Sequence, residues 1–319
     1  MNFHVGFFYA PDFLSSRKKD MKRLLSLLLL LCPVLLCAQQ RPDTTFAFSI
    51  NEPEHEIGEG PVICIDAAHN NFHTADGGFS PFARVVKADG YQVKGITEKL
   101  TSESILADCS VLMIINPLHQ TNLGNWVLPT PSAFLEEEIE IVNEWVRSGG
   151  AFFLIADHMP FAGAASDLGK SFGFEFRNGF ATVEKEQNQP DVFSIQNGRL
   201  KESPITGNNV TSVTSFTGSS FQYPESAIPV MVFTEGDFSL DPQIAWQFEE
   251  NTKTVPIHGY AQGALMNYGE GKLAVFGEAA MFTAQTIQTP NGTFNVGLNN
   301  KEMAPQNISF LLNLIHWLD

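Results

Sequence analysis

Two short apolar runs in this chain stop at residues able to carry acid–base chemistry. Val62-Ile-Cys-Ile65 runs into Asp66, and His69, Asn70, Asn71 and His73 follow within seven residues. Ala151-Phe-Phe-Leu-Ile-Ala156 runs into Asp157-His158. In an open parallel α/β sheet the carboxyl ends of the strands line a crevice where ligands bind. Imidazole titrates near neutrality and suits a general base. His158 and Asp157 are therefore the expected catalytic pair, with Glu278 approaching from the end of a third run, Leu273–Phe276. Asn70, Asn71 and His119 are expected ligand contacts. Asp66, His69 and His73 offer the carboxylate and imidazole donors that a divalent metal such as zinc accepts. His-x-x-x-His shares a face only on a helix, and Asn70-Asn71 with Gly77-Gly78 favour a loop. The same residues also read as a capped turn, and both readings stay open.

Other candidates are weaker. Ser219 lacks the strand-to-helix elbow of a serine hydrolase, and His258 and His316 read as structural. No glycine-rich phosphate loop, dinucleotide fingerprint or Cys-x-x-Cys pair is present in the sequence.

The positioning elements follow from periodicity. Strands are expected at Val62–Ile65, Tyr91–Ile96, Ser110–Ile115 and Phe152–Ile155, with helices near Phe79–Ala88, after Thr101, and from a Ser132 cap through Val146 to Gly149-Gly150. Alternating strands and helices on short turns predict a doubly wound, mostly parallel α/β sheet. The segment 118–131 is a long loop, of the kind that is usually functional. From about 174 to 260 the pattern becomes β-rich. Ala261–Met266 and Leu273–Phe276 read as a hairpin, and Ala304–Leu318 as a closing helix.

Met21-Lys22-Arg23, the apolar run Leu24–Leu36 and Cys37-Ala38 read as an export signal over residues 1–38, with Met21 as the true start. The run is too short for a membrane span, which needs about 20 apolar residues. A soluble periplasmic or extracellular protein is expected, with a lipoprotein on Cys37 the alternative and no stable membrane span after cleavage. Residues 39–60 form a polar leader in which Phe46–Ile50 offers an edge strand. Residues 61–319 form the domain. The chain carries a net charge of −16. Cleavage after Ala38 removes five basic and two acidic side chains, leaving about −19. Such a chain repels phosphate backbones, so nucleic acid is not an expected partner. Cys64 and Cys109 then remain, as buried thiols or, if their strands are neighbours, as a disulfide that export permits.

The segments Ile65-Asp66-Ala-Ala-His69-Asn-Asn-Phe-His73, Trp145-Val-Arg-Ser-Gly-Gly-Ala-Phe-Phe-Leu-Ile-Ala-Asp157-His158 and Asn307-Ile-Ser-Phe-Leu-Leu-Asn-Leu-Ile-His-Trp317 resemble an uncharacterised exported family. That family belongs to the class I glutamine amidotransferase-like superfamily. Trehalose-utilisation-like proteins and auxiliary domains of some ABC transport systems are similar relatives. The resemblance implies a flavodoxin-like sheet. Amidotransferases place a cysteine on the turn after the strand equivalent to Phe152–Ile155, where this chain has Asp157-His158. Their later His-x-Glu survives only as the carboxylate of Glu278. Without thiolate and base, acyl transfer from glutamine lacks its nucleophile, and glutaminase activity is not expected. Two function classes follow: an enzyme, metal-assisted or His/Asp-dependent, acting on a small polar ligand such as a carbohydrate, or a non-catalytic ligand- or protein-binding module of the cell envelope.

Overall fold

The computed structural model describes residues 39–184, 189–207, 209–289 and 292–319. The expected export signal, residues 1–38, lies outside the described residues. An eleven-stranded sheet organises the chain. Five of its strands run parallel: Val62–Asp66, Gln92–Ile96, Val111–Ile115, Ala151–Ile155 and Gly271–Phe276. Counted in chain order, they lie side by side as 2-1-3-4-5. The order reverses between the first and third, where a doubly wound sheet opens its crevice. Val111–Ile115 and Ala151–Ile155 are buried throughout, which is why each reads as an unbroken apolar run.

The two-residue period of these strands divides their side chains between two cores. Ile63, Ile65, Met113, Phe153 and Ile155 pack on one face, under the helices Ser80–Ala88 and Asn307–Leu318. Cys64, Leu112, Ile114, Phe152 and Leu154 pack on the other, under Glu136–Arg147. Cys64 and Cys109 form a disulfide between the neighbouring strand regions, with Cα atoms 5.6 Å apart.

The remaining six strands of the sheet are antiparallel, so the sheet is mixed and the expectation of a mostly parallel one is corrected. Gly271–Phe276 pairs parallel with Ala151–Ile155 on one side and closes a hairpin with Ala261–Tyr268 on the other. Short turns suffice for antiparallel neighbours, whereas each parallel pair needs a crossover of a dozen residues or more. The β-rich stretch from Glu175 to Pro256 therefore adds strands to the far edge without helices between them. The leader also differs from expectation. Its strand is Gln39–Pro42, paired with Ala284–Thr289, while Phe46 is packed into the core and, with Phe48, lies against the Arg84 guanidinium.

Candidate functional site

The register of the parallel strands sets the geometry. Ile115, Ile155 and Phe276 lie level across three adjacent strands. Asp157 and Glu278 each come two residues later, so both carboxylates emerge from neighbouring strands at one height and on one face. Asn116, one residue past Ile115, turns at φ +48° and stays buried. Asparagine tolerates this left-handed backbone better than most residues. Its Oδ1 accepts from the Asp157 backbone nitrogen at 2.9 Å, and its carbonyl accepts from Phe72 N. Asn116 thus locks the strand ends together, leaving its buried Nδ2 without a partner among the described residues.

Asp157 and Glu278 are 8 % and 1 % exposed. Asp157 Oδ1 accepts from His158 N, and Glu278 accepts from Ala280 N and Met281 N. Burial raises both carboxyl pKa values. Asp157 is partly relieved by the nearby His158, while the charge of Asp157 pushes Glu278 further up, well above the ordinary glutamate value. Burial together with a neighbouring like charge favours the protonated form of a carboxyl, so both groups are shifted toward it. Gly277 permits the close packing here: a Cβ at this position would lie 2.5 Å from the Ser219 carbonyl.

His158 turns the other way, as successive residues leaving a strand do. Its Nδ1 lies 2.7 Å from the Met159 carbonyl, which only accepts, so Nδ1 carries a proton. The ring stacks on Phe180 at 4.5 Å and meets the edge of Trp246 at 4.7 Å. Phe161 and Trp126 complete the surround. Trp246 sits at φ +67°. A bulky side chain rarely takes that backbone conformation, and such strain concentrates at functional sites. The Trp246 indole nitrogen is buried without a partner among the described residues.

The residues expected to bind metal do not converge. His69 Nδ1 bonds Asp66 Oδ2 at 2.8 Å and Nε2 bonds Glu138 Oε1 at 3.0 Å, all three side chains being fully buried. Carboxylates accept, so the ring donates from both nitrogens and keeps no lone pair for a metal. Burial pulls the Glu138 pKa up, but the Leu135 amide and the His69 ring outweigh it and hold the carboxyl low. His73 stands apart, with its ring against Phe72 and Phe79 and its Nδ1 buried without a partner among the described residues. Burial lowers its pKa to about 3. Among the described residues, no group of three or more His, Cys, Asp or Glu side chains could hold a metal ion. Asp66, His69 and His73 are thus corrected to a buried carboxylate–imidazole–carboxylate relay plus one isolated histidine.

The expected ligand contacts also resolve individually. The Asn71 amide is consumed within the chain: Nδ2 donates to Asp66 and to the Ile115 carbonyl, and Oδ1 accepts from His69 N. Asn70, left-handed at φ +49° and exposed, donates to the Leu118 carbonyl. His119 caps the short turn Gln120–Asn122 through Thr121. None of the three bonds to Asp157, His158 or Glu278. The relay lies on the face of helix Glu136–Arg147, whereas Asp157 and Glu278 lie on the Phe282 face, so Asp66 and Asp157 leave the sheet on opposite sides. A surface depression of about 380 Å³, lined by Cys109, Trp145, Gly150 and Asp319, opens at the opposite, amino-terminal end of the parallel strands.

Sequence reasoning missed Glu138, Asn116, Phe180 and Trp246. Glu138 had a readable signal, because it continues the Val142/Val146 stripe one turn earlier and so faces the core. Ser132 had been expected to cap that helix, but its hydroxyl accepts from Phe134 N and the helix begins at Glu136. Glu138 itself reaches back to Leu135 N at 3.0 Å.

No family model matches this chain, and no curated protein matches it. Solved structures do. The N-terminal domain of mmIFT52 superposes with a TM-score of 0.55 at 14% identity, covering 80% of this chain and 96% of that one. Two putative ThuA-like proteins also align. The one from Bacteroides uniformis ATCC 8492 has a TM-score of 0.46 at 12% identity, covering 85% and 94% of the two chains. The one from Parabacteroides merdae ATCC 43184 has a TM-score of 0.41 at 8% identity, covering 81% and 88%. At 14% identity the likeness to the mmIFT52 domain is one of fold alone.

Proposed function

We infer that this chain is an exported protein on a flavodoxin-like, amidotransferase-related scaffold. Its Asp157–His158–Glu278 site binds a small polar ligand such as a carbohydrate and supplies acid–base chemistry to it. The carrying observation is the buried carboxyl pair Asp157 and Glu278, both raised in pKa, at neighbouring strand ends with His158 next in the chain. Carboxyls shifted toward neutrality near an imidazole are groups that general acid–base catalysis uses. Export is supported by the signal-like residues 1–38 and by the Cys64–Cys109 disulfide, a bond that oxidising compartments favour. The same disulfide argues against glutaminase chemistry, since it ties up both cysteines of the domain.

A second reading is a binding module without catalysis. It is favoured by Glu278, which is 1 % exposed with both oxygens engaged by backbone amides. The two readings part in one experiment. Calorimetric titration with neutral monosaccharides and disaccharides should give heat for the wild type and none for a folded His158→Ala variant. Release of reducing ends from the disaccharides, lost in Glu278→Gln, identifies the enzyme. Binding without release identifies the module. A wild-type protein that takes up none of these sugars ends both.

A further inference from the structure

Two loops meet above His158 and are joined to each other. Val127 and Ile244 form an antiparallel bridge, Leu128 N donates to the Gln243 carbonyl at 3.0 Å, and Ala245 N donates to the Trp126 carbonyl at 2.9 Å. The joined segments, 118–131 and 242–248, contain no Asp, Glu, Lys or Arg in a chain of net charge −16. This uncharged island is also apolar on its outside. Leu123 is 44 % exposed, Ile244 40 %, Leu128 37 % and the neighbouring Phe72 36 %. The same two loops carry exposed side-chain amides, Gln120, Asn125, Gln243 and Gln247. Trp126 and Trp246 are half-buried beneath, with rings that reach His158.

We propose that this two-loop face is an extended binding surface for a neutral oligosaccharide chain, continuous with the His158 site. The proposal rests on the carbohydrate reading above and extends it from a single ring to a chain. Contiguous exposed apolar surface marks a binding site. The composition indicates the occupant. A charged polymer gains nothing from a face without charges, and an anionic one is repelled by the chain as a whole. Sugar rings present apolar C–H faces that lie on indole and aliphatic surface, and hydroxyls that pair with side-chain amides. Exposed Phe72, Leu123, Leu128 and Ile244 offer the apolar surface, and the exposed Gln120, Asn125, Gln243 and Gln247 offer the amides.

The test is intrinsic tryptophan fluorescence of the full mature chain, titrated with neutral gluco-oligosaccharides from the monosaccharide to the hexasaccharide. Affinity should rise about tenfold from the first to the fourth sugar, the order that one or two added ring contacts supply. The double variant Leu123→Asp/Ile244→Asp, at two exposed positions, should keep the wild-type melting temperature and the monosaccharide affinity while losing the gain with length. Affinity independent of length, with the monosaccharide still bound, overturns the extended surface and leaves the His158 site standing. Failure of every sugar to bind overturns both. A wild-type dimer that the double variant turns into a monomer, again without a gain with length, reassigns the face to self-association and overturns the proposal.

Discussion

Glu138 Oε1 accepts from His69 Nε2 at 3.0 Å and from the Leu100 backbone nitrogen at 3.1 Å. One carboxylate on helix Glu136–Arg147 thereby ties down the loop after Val62–Asp66 and the segment after Gln92–Ile96. Glu138→Gln leaves the shape almost unchanged but turns one acceptor into a donor facing donors. Removing one partner of a buried pair costs about 3–5 kcal/mol. A loss of that size is expected in urea unfolding. A loss below about 1 kcal/mol would mean that the relay is not a structural fastener.

How much of this was legible in the sequence depended on whether the signal was local. Val62–Asp66, Val111–Ile115 and Ala151–Ile155 announced themselves, because burial on both faces leaves an unbroken apolar run. The placing of Asp157 and Glu278 at strand ends was equally readable. What happens between those strand ends was not. His69 and His73 are four residues apart and looked like partners, yet His69 is claimed by Glu138 from a helix 69 positions downstream. Trp246 reaches His158 by way of a loop that only the antiparallel edge of the sheet brings near. Pairings of this kind depend on the β-rich insertion, whose short strands carry weak individual patterns.

The Asp157–Glu278 pair makes stability fall as pH rises. Both folded-state pKa values lie above the unfolded ones, near 3.8 and 4.5. Between the ordinary and the raised values the folded protein holds more protons than the unfolded chain. Stability from the pair is therefore complete below about pH 4 and is lost as pH climbs through the raised values. As pH rises over this range the wild type should lose stability relative to Glu278→Gln, which cannot ionise, whatever slope the other groups impose on both proteins. Parallel curves for the two proteins would show that the Glu278 carboxyl is not raised.

His73 produces the opposite limb. Its pKa falls from 6.5 to about 3 on burial, so in this window the unfolded chain takes up a proton that the folded protein refuses. Stability is complete above pH 6.5 and declines as pH drops toward 3. His73→Gln should remove much of this acid sensitivity, read as a smaller loss of melting temperature between pH 7 and pH 4. An unchanged acid limb would place its origin in other groups. Gly78 makes the packing specific, since a Cβ there would lie 2.1 Å from His73 Nδ1. Gly78→Ala should therefore displace the ring, and the acid limb should shrink with it.

The Cys64–Cys109 disulfide closes a loop with a sequence separation of 45, containing the helix Ser80–Ala88 and the strand Gln92–Ile96. A closure of that length limits the unfolded chain by an entropy equivalent to about 4 kcal/mol. Cys64 is fully buried in the cluster with Leu106 and Leu112, whereas Cys109 is half-buried and lines the surface depression at the amino-terminal end of the strands. The Cys64→Ala/Cys109→Ala variant should unfold at distinctly lower urea than the oxidised wild type and at about the same urea as the reduced one. Equal urea midpoints for the oxidised wild type and the variant would mean that the bond adds nothing to a loop already held by the parallel pairing of Val62–Asp66 with Val111–Ile115.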